Sequence, residues 1–338
     1  MVKFNVVANS PNTKILPAPP SLTRSLMAGF DAITNHLGLI LFSVIFDLLL
    51  WFGPKFRLLA LVEGFFDQLT SLPELNSAEV MDSINFARGF WVEFAGSFNL
   101  LFFFRALPVG IPSLMVSRSP VESPIGAPLF YEVNSTGLAL GLMIFFVVIG
   151  LLAGTVYFSL ISQAAVSGEI SIVNMARILP WTFVQVLLMS MLTFLLCIAT
   201  VIPFSCIMSV LLMSGLGFDR FGFILFFIMG GLFLWWMLPL FFTPHGIFIN
   251  HRVLWDSIRD SIRITRSTLP APGFLFLIIV VLSEGLKLLW RIPPANSWFA
   301  LIGVLGHSFV AAGLIAASFV FYKDADQWMS SEPAVSTN

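Results

Sequence analysis

Ionisable side chains stand inside long apolar stretches of this sequence, and they are its first candidates for chemistry. Asp47 lies in FSVIFDLLLWFG, Glu284 and Lys287 lie in LSEGLKLLW, and His307 lies near the middle of the last apolar stretch. Burying such a group in hydrocarbon costs several kcal/mol, so each one requires either a function or a structural partner.

Each group has a structural interpretation beside the functional one. Asp47 either caps at the membrane interface or pairs with Arg105, unless it belongs to a solute pathway. Glu284 and Lys287 are three residues apart, so they can pair on one helix face near the helix end. His307 is either a hydrogen-bonded packing residue or a proton relay.

The stretch 90–116 contributes two further candidates, Glu93 and Arg105. It begins GFWVEFAGSFNLLFFF and continues RALPVGIPSLM, so it combines charges with two prolines. Such a stretch is poorly suited to face lipid. It is either a span buried by its neighbours or a helix that enters the membrane and turns back.

No catalytic or metal-binding pattern accompanies these residues. The sequence has no HExxH, CxxC or GxSxG motif and no phosphate-binding glycine loop. Its four histidines and two cysteines do not have the spacing of metal ligands. We therefore assign no catalytic residue, no metal ligand and no cofactor.

Composition defines the class of protein that contains these residues. Of the 338 residues 58% are hydrophobic and 10% are charged, and the net charge is −1. A soluble domain is about 45–50% apolar and about 25% charged. These values exclude a soluble globular enzyme, a disordered chain and a nucleic-acid-binding basic domain, and they leave an integral membrane protein.

Long apolar stretches without alternation predict an all-α fold, a polytopic transmembrane helical bundle. A helix needs about 20 apolar residues to cross the hydrocarbon core. The stretches that meet or nearly meet this length are 37–53, 137–161, 181–212, 221–243, 272–290 and 298–322. The stretch 90–116 would be a seventh span, and we favour six.

Two amphipathic segments are expected at the membrane surface. Residues 1–36 form a cytoplasmic N-terminal segment that contains an interfacial helix. In 244–268 an apolar face with Leu254, Trp255 and Ile258 lies beside an arginine stripe. The stripe either binds anionic lipid headgroups or a partner, or it simply belongs to a connecting helix. The stripe consists of Arg252, Arg259, Arg263 and Arg266.

The arginine stripe also sets the expected topology, because short loops rich in Lys and Arg stay in the cytoplasm. We therefore place 244–268 and the polar tail 323–338 inside. The bundle then covers 37–322, and 54–136 is an extracytoplasmic helical insertion. Glycines four apart in 137–161 predict close helix contacts, either within the bundle or at a dimer face.

Three stretches carry a resemblance to a known family. They are IFDLLLWFGPKF, VSGEISIVNMARILPWTF and VLWDSIRDSIRITRS. Their order resembles an uncharacterised family of bacterial multi-span membrane proteins, similar to the membrane domain of glycerophosphodiester phosphodiesterases. The resemblance implies a six-span bundle in the bacterial cytoplasmic (inner) membrane. The phosphodiesterase domain itself is absent, so the resemblance does not carry that activity.

Three classes of function remain, and we favour the first. It is a non-enzymatic scaffold, accessory subunit or lipid-interacting assembly factor, whose partners are anionic lipid headgroups and a membrane protein or a second copy, with no nucleic acid. The second, a transporter or channel for a small or amphiphilic solute, requires the charges to converge on one cavity. The third, an intramembrane lipid enzyme, requires two polar side chains within reach at an accessible cleft.

Overall fold

The computed structural model describes residues 19–75, 77–213, 218–268 and 270–331. The rest of the predicted N-terminal segment and of the C-terminal tail lies outside the described residues. The described chain is an all-α bundle, as predicted, with one small sheet. Long runs of Leu, Phe, Ile, Val and Ala favour helices here because each helix satisfies its own backbone hydrogen bonds within lipid.

The helices follow one another along the chain with few long connections. They are α1 Leu22–Asn35, α2 Ile40–Phe52, α3 Leu59–Thr70, α4 Ala78–Ser97, α5 Met115–Arg118, α6 Thr136–Val166, α7 Ile172–Met213, α8 Phe218–Leu240, α9 Thr243–Asn250, α10 Leu254–Ser267, α11 Ala271–Trp290 and α12 Ala300–Ser331. Strands β1 (Lys55–Arg57) and β2 (Phe130–Glu132) pair in parallel and join the two ends of the insertion 54–136.

Five helices of the described residues are long and apolar enough to cross a membrane: α6, α7, α8, α11 and α12. The candidate span in α8 continues through α9 to Asn250. Helices α1 and α2 form a sixth candidate together, although they meet at an angle of 87°. The fold is therefore a membrane helical bundle with five or six candidate spans.

The first predicted span, 37–53, is not a straight helix. Residues Leu37–Leu39 form a 3-10 turn, and α2 has 13 residues. Such a helix is about 20 Å long, which is short of the roughly 30 Å hydrocarbon core. Only α1 and α2 together, as a bent pair, are long enough for the membrane span that the sequence predicted as one helix.

Helix α12 forms the centre of the bundle. Most of its side chains between Ala300 and Ala325 are buried, and α1 runs along its second half in the opposite direction. Arg24 of α1 pairs with Asp324 at 2.9 Å, and Gly29 lies so close to Ala317 that a Cβ there would overlap its backbone. The helix continues to Ser331, so the predicted tail begins as its last turns.

The stretch 90–116 is not one helix, so the possible seventh span, beside the six that we favour, has no counterpart in the described part of the chain. Helix α4 ends at Ser97, a 3-10 turn follows over Leu100–Phe104, and irregular backbone continues to Leu114. Pro108 and Pro112 lack the N–H that a helix needs. We call residues 98–114 the re-entrant segment, because the next contacts place them inside the bundle.

Candidate functional site

The re-entrant segment packs against the small-residue face of α6. A Cβ on Gly150 would overlap the carbonyl oxygen of Phe104, and one on Gly154 would overlap that of Val109. These glycines lie about 21 Å and about 27 Å along α6 from Thr136. The segment thus reaches the middle of the bundle, and this glycine pair makes an internal contact.

Asp47 of α2 holds the end of the re-entrant segment. Its carboxylate is fully buried and accepts hydrogen bonds from the Ser113 hydroxyl, from the Leu114 N–H at 3.1 Å and from the Met115 N–H at 2.9 Å. One turn earlier on α2, the Ser43 hydroxyl donates to the carbonyl oxygen of Pro112 at 2.5 Å. Asp47 therefore caps the short helix α5.

The predicted ion pair between Asp47 and Arg105 does not form. Arg105 makes no salt bridge among the described residues. Its guanidinium lies within electrostatic range of the Asp47 and Glu284 carboxylates. Since Asp47 already has three donors, it can be ionised without Arg105 as a direct partner.

Five of the predicted ionisable candidates converge on one region. Lys287 donates to Glu284 at 2.5 Å, as their spacing predicted. The His307 imidazole lies within electrostatic range of Lys287, Glu284 and Arg105. Asp47, Glu284 and His307 each stand five to seven residues from the same end of the bundle, which is about 10 Å along each helix.

Two candidates differ from their predicted surroundings. Glu93 is exposed on α4, which packs against α3, and it does not belong to the five-residue cluster. His307 is buried, yet its Nε2 has no hydrogen-bond partner among the described residues. The hydrogen bond predicted for a packing histidine is therefore missing at that nitrogen.

The residues of the charged cluster line none of five cavities in the described part of the chain. These cavities have volumes of about 30, 700, 280, 110 and 550 Å³. No three His, Cys, Asp or Glu side chains in the described ranges are grouped as metal ligands. Asp47, Lys287 and His307 are buried, whereas the Glu284 side chain is 63% exposed, so protein encloses only part of the cluster.

The arginine stripe of α10 faces outward, and small polar side chains form much of the face that packs against the bundle. Arg259, Arg263 and Arg266 are exposed, whereas Arg252 pairs with Asp260. The side chains buried against the bundle are Ser257, Ile258, Ser261, Ile264 and Thr265. Trp255, on the predicted apolar face, is 62% exposed and lies under the Arg259 guanidinium.

Sequence reasoning missed one buried polar contact at the opposite end of the bundle from the cluster. His245 of α9 is buried, and its Nε2 lies 2.8 Å from the Ser318 hydroxyl of α12. Both residues line the 280 Å³ cavity, together with Leu107 and Pro108 of the re-entrant segment. Only the small polar residues on otherwise apolar helices signal this contact in the sequence.

The sequence matches no family model, and no curated protein or solved structure matches it. The class is therefore defined by the fold alone, a membrane helical bundle with a re-entrant segment. The resemblance to the membrane domain of glycerophosphodiester phosphodiesterases stays a prediction.

Proposed function

We propose that this chain is a non-enzymatic, lipid-interacting scaffold or accessory protein of the bacterial cytoplasmic membrane. It crosses that membrane several times, and α10 and the C-terminal end of α12 lie inside. The main support for the proposal is that Asp47 makes structural contacts within the chain. Its carboxylate has all of its close donors within the chain, and those donors hold the re-entrant segment.

The same geometry argues against a solute pathway through the charged cluster. Transporters place broken segments where their free backbone groups and charges face a substrate cavity. Here several carbonyl groups of the re-entrant segment meet protein. Gly150 and Gly154 contact two of these carbonyls, and the Ser190 hydroxyl donates to the Leu107 carbonyl at 2.7 Å.

A closed core predicts that cysteines near the cluster stay unmodified by reagents in water. Ser308 is fully buried beside His307, so Ser308→Cys is a small change at a protected position. In a background with Cys197→Ala and Cys206→Ala, a membrane-impermeant maleimide should not label Ser308→Cys or His307→Cys from either side of sealed vesicles.

The matched control is Asn296→Cys, which lies in the exposed connection between α11 and α12. It should be labelled fully from one side. Rapid labelling of either core cysteine would contradict the closed core and would favour a transporter or channel.

The exposed arginines of α10 predict retention of anionic lipid. A basic residue near an anionic surface contributes about 1 kcal/mol, so three together contribute about a hundredfold in affinity. The combined substitution Arg259→Gln, Arg263→Gln and Arg266→Gln should strongly reduce the phosphatidylglycerol that native mass spectrometry finds on the purified chain. Arg88→Gln, which removes a cation from α4, is the control and should retain it.

A further inference from the structure

The insertion 54–136 contains an apolar groove of about 700 Å³. Helices α3 and α4, the 3-10 turn Leu100–Phe104 and the first turns of α6 form its walls. Its lining is aliphatic and aromatic, with the Thr136 hydroxyl as the exception; Phe65, Trp91 and Phe94 are among its rings. The volume lies within the range of ligand pockets, about 300–1,000 Å³.

The groove adjoins the surface of α6 that faces lipid. Ala139, Leu140 and Met143 line it from the first two turns of this candidate span. On the same turns Leu138 and Ile144 are more than half exposed. A hydrocarbon chain can therefore pass from the bilayer into the groove along a continuous apolar surface, without crossing water.

A buried lysine stands at the other side of the groove wall. Lys55 of β1 is 3% exposed, and none of the ion pairs among the described residues involves it. Its ammonium nitrogen is not fully enclosed, so a small group can reach it. It lines a chamber of about 30 Å³ together with Asn99 and Ser119. Phe98 and Phe102 line both this chamber and the groove, so the two spaces adjoin at these rings.

The charge of Lys55 is not balanced by an ion pair among the described residues. Burial, and secondarily the charge of Arg57, lowers the pKa of Lys55 to about 8, so the lysine is still charged at neutral pH. Arg57 itself is neutralised by Glu132. A buried cation without a partner is costly, and an anion of suitable size beside it removes that cost.

We propose that the insertion binds a long-chain fatty acid, with its hydrocarbon chain in the groove and its carboxylate beside the Lys55 ammonium. This inference deepens the lipid-interacting function proposed above and rests on it. The chamber of about 30 Å³ exceeds the roughly 10–15 Å³ that a cavity needs to hold one water molecule, so a group as small as a carboxylate fits beside the ammonium.

The test uses the full chain in lipid nanodiscs and a photoreactive C16 fatty acid carrying a diazirine near the end of its chain. Cross-linked peptides should come from α3, α4 and the start of α6, and unlabelled palmitate should compete. Lys55→Met should weaken binding about tenfold or more, because a charge-assisted hydrogen bond is lost. Ala139→Trp, which fills the groove, should abolish labelling.

Arg88→Met is the matched control, because Arg88 belongs to the same insertion but pairs with Asp67 at 2.8 Å. It should leave the affinity unchanged. Lys55→Met should unfold at the same or a higher temperature at pH 7. The lowered pKa of Lys55 means that its charged form opposes folding below about pH 8, and this penalty disappears as pH rises toward the ordinary lysine pKa.

Three results would overturn the proposal: equal affinity in Lys55→Met, labelling outside the groove, or competition by methyl palmitate or phosphatidylglycerol as strong as that of palmitate. The proposed function is tested separately at α10. Loss of fatty-acid labelling with phosphatidylglycerol retained at the α10 arginines overturns this inference alone, whereas failure of both removes the lipid-interacting role as well.

Discussion

Replacing Asp47 by alanine is expected to destabilise the folded chain by about 3 kcal/mol or more. The substitution leaves the Ser113 hydroxyl and the N–H groups of Leu114 and Met115 buried without an acceptor. Each buried unsatisfied donor costs about 1–3 kcal/mol. Thermal unfolding in a mild detergent should therefore begin several degrees lower than in the unchanged chain.

Three further variants test whether the lost hydrogen bonds cause this destabilisation. Asp31→Ala removes an exposed carboxylate from the neighbouring helix α1 and should have almost no effect. Asp47→Asn keeps one acceptor, so its loss of stability should lie between that of Asp31→Ala and that of Asp47→Ala. Arg105→Met should cost less than Asp47→Ala, since the two residues form no ion pair. Equal losses for Arg105→Met and Asp47→Ala would restore the pairing that the sequence suggested.

Replacing Gly150 by alanine is the second change with a large expected effect. The new methyl group would overlap the carbonyl oxygen of Phe104, which is backbone and cannot swing aside like a flexible side chain. Overpacking costs about 1–3 kcal/mol in well-packed cores and occasionally more. We expect the upper end of this range, and Gly150→Leu should displace the re-entrant segment altogether. Chemical or thermal unfolding of the purified variants measures the stability loss of Gly150→Ala and of Gly150→Leu.

Gly141 provides the matched control on the same helix. Nothing lies within 4 Å of the position that its Cβ would occupy. Gly141→Ala should therefore be neutral or slightly stabilising, as for an open helical site. If Gly150→Ala and Gly141→Ala were equally stable, the re-entrant segment would not rest on α6 as described.

The sequence predicted the features that depend on composition and on long apolar runs. The class of membrane helical bundle follows from a content of 58% hydrophobic residues, and the later helices follow from the length of each run. The pair of Glu284 and Lys287 was predictable because its spacing brings the two side chains together within one helix. Of the predicted glycine pairs of α6, Gly150 and Gly154 contact the re-entrant segment, whereas Gly137 and Gly141 contact no other element.

Contacts between parts of the chain that are distant in sequence could not be predicted from residue patterns. Asp47 and Ser113 are 66 residues apart, and no spacing rule connects them. Serine and aspartate four residues apart on α2, at 43 and 47, share one face and were the available signal. Lys55 looked like an ordinary loop residue after a span, because only the folded insertion buries it.

The sequence did not show which face of α10 packs against the bundle, for a physical reason. In water, the apolar face of a helix points to the protein interior. At a membrane, lipid is as apolar as the protein core, so apolar periodicity does not show which face meets protein. Trp255 is accordingly exposed, while Ser257 and Ser261 pack against the bundle.

Amide hydrogen exchange tests most directly whether buried polar groups hold a re-entrant segment inside a closed bundle. We predict that the amides of Leu114 and Met115, in lipid nanodiscs, exchange as slowly as those in the centre of α12. Asp47→Ala should release them selectively and leave α12 protected. Exchange of these two amides in the unchanged chain as fast as that of the loop 119–129 would contradict a re-entrant segment held by Asp47.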